Sequence, residues 1–451
     1  MIAEIHPWSN LERWLPGRGA ALDVTFPTVP LGEVLKISRK RVLPEQFDEY
    51  QPITIHFDGS IVERERTEPF KGGMFAAHAG DLVFSKIDVR NGAIGLIPPE
   101  FDRVVITSEY PVYIPDKMQV SARYLSLLLR TPNFMQLLKR ASSGTSGRKR
   151  VSPESFEGLE IPLPELNEQQ TLVDVYEGAL ARAAELENEA RENENAGQQE
   201  FESALGLIPP PDLPRQPFQI ASFSEVERWS HEGILDQKML AASGKPTEKY
   251  PLVSLGEVVS DLENGWSPQC LNRPAKEGEW GVLKLGSVSY GVFDETANKA
   301  LPSKLKPIPT LEVRAGDVLI SRANILRLVG ACALVRDTRP QLMLSDKIFR
   351  VVFRQNSLVL PEFLTEILKT PSVRQQIEAN ATGTSPTMKN ISKPALLDLM
   401  FPLPDGDESL KIQETLINNL WASRQHATIK RAEALHLRSA AWAEFQAAIF
   451  L

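Results

Sequence analysis

Cysteine is scarce in this chain of 451 residues, and so are the signals of a disulfide-linked, metal-binding or membrane protein. The two cysteines, Cys270 and Cys332, lie far apart with no Cys-x-x-Cys or Cys/His spacing around them, so neither a disulfide framework nor a zinc site is supported. No apolar run approaches the roughly 20 residues of a membrane span, and the N-terminus has no basic-then-apolar signal pattern. We therefore expect a cytoplasmic protein.

Catalytic motifs are missing as well. The six histidines form no His-Glu-x-x-His pattern, the Ser-Gly-Lys-Pro at 243–246 lacks the rest of a Walker loop, and no Gly-x-Ser-x-Gly nucleophile elbow occurs. We expect a non-catalytic protein with no metal site and no cofactor of its own. An enzyme with an unrecognised active site is the least favoured alternative.

Negative charge dominates the chain as a whole, with a formal net charge of −8, but it is concentrated in one segment. Residues 165–206 contain eleven acidic and two basic side chains, which leaves the rest of the chain close to neutral. Nucleic-acid binding usually shows as a basic surplus. Because the acidity belongs to one segment, it does not argue against nucleic-acid binding by the others.

A long-period repeat organises what is present. Leu-Gly-Glu-Val at 31–34 recurs at 255–258, and the Gly-Asp run at 80–86 recurs at 316–322. Three more matches keep the same order, pairing 124–132 with 363–371, 144–146 with 383–385, and 161–164 with 401–404. Collinear repetition of this kind predicts two copies of one unit.

Each copy has the composition of a mixed α+β module. Four β-branched or aromatic runs are bounded by Gly, Pro, Asn and Asp and indicate strands, at 83–87, 104–107, 318–320 and 349–353. Residues 123–140 and 361–379 instead carry apolar residues at three- and four-residue spacing, which predicts amphipathic helices.

Each module is followed by about forty residues with a helical pattern. Apolar and small residues between 172 and 204 and between 416 and 448 share the spacing 4-3-4-3-4-3-4-4-3, which indicates a heptad seam with one shared irregularity. The first segment is acidic, whereas 411–451 has five basic and three acidic residues, so the two helices are expected to pair with each other. We expect an antiparallel pair that separates the modules with pseudo-twofold symmetry. An ordinary interaction hairpin is the alternative.

Cationic and amide side chains recur at matched places in the two modules, at strand ends and beside a Gly-Thr-Ser segment. Arg and Lys can donate to guanine edges or phosphates, and Asn suits a bidentate contact with adenine. The alternative is that Gly-Thr-Ser only caps a helix and that the basic residues form a solvated face. The candidate DNA-binding residues are Lys86, Arg90, Asn91, Thr145, Ser146, Arg148, Lys149 and Arg150 in the first module, and Arg322, Asn324, Arg327, Thr384, Ser385, Lys389 and Asn390 in the second.

The order of these motifs resembles a known family. Ile-Pro-Leu-Pro-Glu-Leu-Asn-Glu-Gln-Gln at 161–170 is similar to the stretch that closes each target-recognition domain in specificity subunits of type I restriction-modification systems. Residues 80–92 and 142–151 look like motifs of the same domains, and Val-Leu-Lys-Leu-Gly at 282–286 resembles another, which adds Lys284 to the candidates. The second copy departs from the pattern, because residues 405–413 lengthen the joint and lack the Glu-Gln pair.

The resemblance implies a DNA-sequence specificity subunit that recognises a bipartite asymmetric target. It implies double-stranded DNA, two DNA-adenine methyltransferase subunits and, in a full complex, two nuclease/translocase subunits as partners. S-adenosylmethionine, ATP and magnesium would then belong to those partners. A coiled-coil assembly scaffold that does not bind DNA is the alternative. The expected domains are a first target-recognition domain at 1–164, a first spacer helix at 165–206, a linker at 207–250, a second target-recognition domain at 251–407 and a second spacer helix at 408–451.

Overall fold

Short strands bounded by turns, and helices begun by proline or serine, build a mixed α+β fold in the computed structural model. The structure describes residues 23–64, 73–142, 150–207, 249–383, 385 and 388–451. The chain divides into two units, one comprising Met1–Asn188 with Arg431–Leu451 and the other Glu189–Lys430. The mixed helix and sheet content that the sequence predicts is confirmed.

The first unit holds one globular module. Its elements are β1 (Thr28–Pro30), α1 (Leu31–Val34), β2 (Leu35–Ser38), β3 (Arg41–Val42), β4 (Gln51–Ile55), β5 (Ile61–Glu63), β6 (Met74–Ala77), β7 (Leu82–Phe84), β8 (Ile94–Leu96), β9 (Val104–Thr107), β10 (Val112–Pro115), α2 (Ala122–Leu128), α3 (Pro132–Ala141), α4 (Pro153–Glu157) and β11 (Glu160–Pro162). The long helix α5 (Leu166–Ala204) begins directly afterwards.

Two sheets carry this module. The first has the order β2-β10-β7-β8 and the second β3-β6-β9-β4-β5, in which β4 and β9 run parallel. The core against the first sheet is aromatic, with the rings of Phe84 and Phe156 at 4.4 Å and those of Tyr113 and Phe156 at 5.4 Å. Such packing contributes beyond simple area burial and holds α4 beneath the sheet.

The second unit holds the other module. Its elements are β12 (Leu252–Ser254), α6 (Leu255–Val258), β13 (Val259–Asn264), β14 (Gly281–Leu283), β15 (Asn298–Ala300), β16 (Val318–Ser321), β17 (Ala323–Asn324), β18 (Cys332–Leu334), β19 (Leu342–Met343), β20 (Ile348–Phe353), α7 (Pro361–Ile367), α8 (Pro371–Ala379), β21 (Lys389–Asn390), α9 (Lys393–Leu397) and β22 (Met400–Pro402). The long helix α10 (Ser409–Ile449) follows.

The sheets of the second module share their strand order with those of the first, except that among the described residues the second sheet has no counterparts of β3 and β6. The order β13-β20-β16-β18 corresponds to β2-β10-β7-β8, and β15-β14-β19 corresponds to β5-β4-β9. The β14–β19 pair is parallel, as is β4–β9. Since strand order depends on the path of the whole chain, this agreement describes a common frame rather than a local likeness.

The stretches that the sequence predicts as amphipathic helices each split in two. Residues 123–140 fall into α2 and α3, and 361–379 into α7 and α8. Each break lies at a Thr-Pro pair, where proline cannot donate the backbone hydrogen bond that would continue the helix. Thr131 begins α3, because its hydroxyl accepts a hydrogen bond from the N–H of Phe134 at 3.3 Å.

A buried glutamine joins each module to its long helix. Gln169 is fully buried; its Oε1 accepts from the N–H of Ser121 at 2.8 Å, and its Nε2 donates to the carbonyls of Gln119 and Pro164 at 2.9 and 2.8 Å. These bonds fasten the first turn of α5 to the loop before α2.

Gln413 plays the same part in the second module, although the sequence there lacks the Glu-Gln pair. Its Oε1 accepts from the N–H of Leu360 at 3.0 Å, and its Nε2 donates to the carbonyl of Leu358 at 2.7 Å. The longer joint is accommodated by Ser409, whose hydroxyl donates to the carbonyl of Pro404 and accepts from Gln413. The departure from the motif therefore leaves this contact intact.

Within the first unit, the start of α5 packs antiparallel against the end of α10. The centres of the Tyr176 and Trp442 rings lie 5.7 Å apart. Further along the pair, Arg438 forms a bidentate ion pair with Glu187, with N–O distances of 2.5 and 3.0 Å. In the same part of the pair, Ala183 of α5 and Ala434 of α10 are fully buried. Small seam residues of this kind let two helix backbones approach closely.

Within the second unit, the end of α5 packs antiparallel against the start of α10. Lys430 forms an ion pair with Glu189, and further along α5 Gly197 faces Ser423. A Cβ atom at Gly197 would stand 2.6 Å from the Cβ of Ser423, closer than atoms can pack. The glycine is thus required by the close approach of the backbones.

We expect the Gln169→Leu substitution to lower the free energy of unfolding by about 1–3 kcal/mol, measured by chemical denaturation. Leucine fills a similar volume but leaves the Ser121 N–H and two carbonyls buried without partners. The exposed neighbour provides the control, and Gln170→Leu should change stability by less than about 0.5 kcal/mol. Equal stability of Gln169→Leu and the wild type would show that the joint does not depend on this side chain.

Two glycines of α5 provide a matched test of the helix pairing. A Cβ atom added at Gly178 would meet no described neighbour within 4 Å, so Gly178→Ala should stabilise the protein by up to about 1 kcal/mol through helix propensity. Gly197→Ala brings the same gain in helix propensity, but the new methyl group would collide with Ser423. Thermal denaturation should therefore show a lower Tm for this variant. A higher Tm for both variants would contradict close packing of α5 on α10 at this position.

Candidate nucleic-acid interface

The second module brings its two predicted clusters together in one small sheet. Strand β17 pairs with β21, so that Ala323 lies opposite Asn390 and Asn324 opposite Lys389. Just before β17, the N–H of Arg322 donates to the carbonyl of Lys347 at 2.8 Å, and its carbonyl accepts from the N–H of Ile391 at 2.9 Å. Arg322 therefore stands where three segments of the chain cross.

The first module has the same crossing with a lysine at its centre. The N–H of Lys86 donates to the carbonyl of Glu109 at 3.0 Å, and its carbonyl accepts from the N–H of Val151 at 2.9 Å. Arg150 is next to this crossing and pairs with the Glu109 carboxylate at 3.3 Å. The two modules thus place one candidate cation, Lys86 or Arg322, at corresponding positions.

Five of the predicted site residues lie outside the residues that the structure describes. They are Thr145, Ser146, Arg148, Lys149 and Thr384. Of the same segments, Arg150 and Ser385 are described, and both are exposed. The assignment of the Gly-Thr-Ser segments to a DNA-binding surface stays a prediction.

Arg90 and Asn91 lie in a short 3₁₀ turn, Val89–Asn91, that follows β7. The turn ends at Gly92, whose φ of 105° and close approach to the carbonyl of Phe57 leave no room for a side chain. Asn91 is exposed and Arg90 is half-buried. The backbone of this loop is rigidly defined, as a recognition loop on a sheet needs to be.

Asn324 has its side chain engaged inside the module. Its Nδ2 donates to the hydroxyl of Ser289 at 3.0 Å, and its Oδ1 accepts from the N–H of Ile325 at 2.9 Å. Both ends of this amide are thereby held within the module, so the geometry favours a positioning role for it. Arg327, in the following 3₁₀ turn Leu326–Leu328, is exposed.

The loop before β21 is closed by Lys389 and Asn390. The Lys389 ammonium donates to the carbonyl of Gly383 at 2.8 Å. Asn390 and Thr382 exchange backbone hydrogen bonds of 2.8 Å, which bring the two ends of the loop together. Both Lys389 and Asn390 are half-buried, so their immediate role is to shape the loop beside Arg322.

Lys284 is exposed and lines a groove with Lys299 and Lys347, two cations that sequence reasoning missed. They are far apart in the sequence and belong to no motif. Near them the Arg322 guanidinium lies over the ring of Phe349, 5.8 Å from its centre. Burial opposes ionisation of Asp346, but hydrogen bonds from Ser267 and Lys347 and the charge of Arg322 hold the pKa of that carboxyl below its usual value.

In the first module the missed residue is Arg39, at the end of β2. It lines a groove with Lys86 and Tyr110. Hydrogen bonds at the start of α4 lower the pKa of the Glu154 carboxyl most, and the positive charges of Arg39 and Lys86 lower it further. The signal in the sequence is the basic run Arg-Lys-Arg at 39–41. Strand pairing is needed to bring it beside Lys86.

The described part of the chain offers neither a metal-binding cluster nor a membrane-spanning helix. Among these residues, no three His, Cys, Asp or Glu side chains gather closely enough to hold a metal ion. Over the same ranges, no helix has the length and apolar character to cross a membrane. Complete burial raises the pKa of the Cys332 thiol to about 11, which keeps it protonated and unreactive at neutral pH.

Comparison with known proteins assigns a family domain to the first part of the chain. A family model described as the type I restriction modification DNA specificity domain matches residues 23–194. Over these residues the chain carries the DNA specificity domain of type I restriction-modification systems. The resemblance seen in the sequence is confirmed. Specificity subunits of such systems are non-catalytic, with catalysis in the partner subunits.

The relatives of this chain are distant. It is similar to the type I restriction enzyme EcoEI specificity subunit of Escherichia coli, with 26% identity over 367 residues that cover 69% of this chain and 62% of that protein. The MjaVIII specificity subunit of Methanocaldococcus jannaschii is 24% identical over 297 residues, 63% of this chain and 60% of that protein. The chain thus matches less than two thirds of the length of either relative.

A solved structure shares the fold of this chain. It comes from a study of complex assembly and conformational transition in the type I R-M system, and it matches with a TM-score of 0.58 and 19% identity. The match covers 95% of this chain and 98% of that one. At this identity the likeness concerns the fold alone.

If Arg322 reads a base edge, Arg322→Ala should cost about 1–3 kcal/mol of binding and relax preference at one position of one half-site. Competition binding with half-site variants at two salt concentrations measures both effects. A weaker affinity for every sequence, with a salt slope smaller by about one unit, would instead make it a phosphate contact. Lys86→Ala and Arg90→Ala provide the same comparison for the other half-site.

Proposed function

We propose that this chain reads a bipartite, asymmetric DNA target, one half-site with each module. The observation that carries the proposal is the recurrence of one cation, Lys86 or Arg322, at the same three-segment crossing in both modules. The same backbone crossing occurs in both modules, but the side chains around it differ. Two such surfaces suit a target made of two different half-sites. Family membership supports DNA as the ligand.

The helices α5 and α10 act in this proposal as the spacer that sets the distance between half-sites, with pseudo-twofold symmetry between the repeats. The antiparallel contacts within each unit support it, from the Glu187–Arg438 ion pair in the first to the Gly197–Ser423 contact in the second. The buried alanines of the seam favour a close, straight pair over a loose hairpin.

The chain positions catalytic partners and performs no chemistry itself. We assign methylation to two DNA-adenine methyltransferase subunits, and translocation and cleavage to two further subunits in a full complex. S-adenosylmethionine, ATP and magnesium belong to those partners, which must also extrude the target adenine from the duplex for methylation. Both joints keep the buried glutamine contact, which supports an equivalent arrangement for partners at each repeat.

A scaffold that binds only protein is not favoured by the family match. The two hypotheses differ in salt dependence. DNA affinity carried by phosphate contacts falls steeply as salt is raised, whereas a protein-binding scaffold has no specific DNA affinity to lose.

Module exchange tests the proposal directly. Replacing residues 1–160 with the matching part of another specificity subunit should change one half-site of the methylated sequence and leave the other intact, read by methylome sequencing. The reciprocal exchange of residues 251–407 is the matched control and should change only the other half-site. Loss or alteration of both half-sites in either hybrid, with the hybrid folded and the complex assembled, would refute independent reading by the two modules.

A further inference from the structure

A groove in the second module gathers three lysines from separate strands. Lys284, Lys299 and Lys347 line it together with the hydroxyl-bearing residues Ser267 and Ser345. No acidic side chain lines it among the residues that the structure describes. The groove is therefore a concentration of positive charge with hydroxyl groups at its wall.

Strand pairing creates this arrangement. Lys299 lies opposite Val282 in the β14–β15 pair, and Lys284 follows β14 directly, with its N–H donating to the carbonyl of Ala297 at 2.8 Å. Lys347 precedes β20, and its carbonyl accepts the hydrogen bond from Arg322. The groove thus adjoins the crossing where Arg322 stands.

Ser345 supplies an independent indication of a ligand. The residue is only 5% exposed, and its hydroxyl has no hydrogen-bond partner among the described residues. Buried hydroxyl groups are nearly always hydrogen-bonded, because leaving one unpaired costs its full desolvation penalty. A donor of this kind beside three ammonium groups suits an anionic oxygen.

The adjacent acidic group does not cancel the charge. Asp346 is held by the Ser267 hydroxyl and by the Lys347 ammonium at 3.0 Å. Lys347 nevertheless remains about half exposed, and Lys284 and Lys299 are exposed. The charge of Lys284 also helps to lower the pKa of the Asp294 carboxyl, so two carboxylates lie near three ammonium groups and positive charge remains in excess.

The first module has no such groove at the corresponding strands. At the start of β4 the N–H of Gln51 donates to the carbonyl just before β9, and at the start of β14 the N–H of Gly281 donates to the carbonyl just before β19. Gln51 and Gly281 are therefore equivalent positions, and three residues further on Thr54 corresponds to Lys284. The register of the hairpins β4–β5 and β14–β15 makes Lys299 equivalent to Arg64. Lys347 is equivalent to Glu109, because their carbonyls accept the hydrogen bonds from Arg322 and Lys86. Glu109 is itself paired with Arg150. Among the described residues, the three-lysine set therefore has no counterpart at these positions of the first module, whose own groove is lined by Arg39 and Lys86.

We propose that this groove binds a phosphate group of the DNA backbone and so fixes the second module on its half-site. The inference rests on the proposed DNA-reading function and adds the chemistry of one contact to it. Lysine binds phosphate as a point charge, and a hydroxyl donor adds direction. Contacts of this type set register without reading sequence, which leaves Arg322 beside the groove to face the base edges.

The test uses the full-length chain in its native complex and a labelled duplex of random sequence. Joint substitution Lys284→Gln, Lys299→Gln and Lys347→Gln should weaken binding about tenfold or more and make the salt slope shallower by about one unit for each phosphate that the variant no longer binds. Lys276→Gln, Lys304→Gln and Lys306→Gln remove the same charge from lysines of the same unit that do not line the groove, and should have a much smaller effect. Equal effects of the two triple variants would overturn the proposal.

Ser345→Ala separates binding from folding. Removing an unpartnered hydroxyl should leave the Tm unchanged or raise it, while DNA affinity falls several-fold. A lower Tm with unchanged affinity would overturn the role of Ser345.

Inorganic phosphate is the second probe. Saturable binding of free phosphate that the groove triple variant abolishes, with no change in DNA affinity, would overturn the proposal and assign the groove to a free anion. A wild-type complex that binds no DNA would refute the proposed function itself. Specific binding by the wild type, with an unchanged salt slope in the triple variant, would refute only the groove.

Discussion

A buried amide at the start of each long helix fastens that helix to the module before it. Gln169 and Gln413 bind backbone groups in the loop ahead of a module helix, and each is also bonded at its own joint. In a dry interior, losing one partner of such a bond exposes the full cost of burying the other, so the joint is held in one geometry. The second joint has a longer connection, yet Ser409 supplies an additional bond to Pro404 and preserves the contact. Module and helix start are therefore fastened together within each unit.

Side-chain size and charge along α5 and α10 complement the joint. Alanine and glycine at the seam allow close backbone approach, and their small side chains give little area to bury. The ion pairs Glu187–Arg438 and Glu189–Lys430 are partly exposed, so they contribute more to choosing the partner and its direction than to stability. Part of the acidity of α5 therefore serves helix pairing, while Glu177 pairs with Arg123 of the first module.

The two modules combine a common frame with different surfaces. Strand order and the hydrogen bonds around Lys86 and Arg322 agree, while the neighbouring side chains differ in charge, from Thr54 and Glu109 in one module to Lys284 and Lys347 in the other. A frame set by backbone pairing tolerates such changes because exposed side chains at strand ends contribute little to folding. Recognition can therefore diverge between repeats without loss of the fold.

Periodicity and collinear motifs are local properties of the chain, and they predicted the repeat, the mixed α+β content, the two long helical segments and the resemblance to type I specificity subunits. They also identified Lys86 and Arg322 as matched positions. Only the tertiary structure revealed that Gln413 replaces a missing motif, since the longer joint hides the correspondence, and that the Asn324 amide binds Ser289 and Ile325. The gathering of Lys284, Lys299 and Lys347 could not be predicted either. They come together through pairing of strands distant in sequence, and that pairing is decided by the packing of the whole module rather than by the residues beside each lysine.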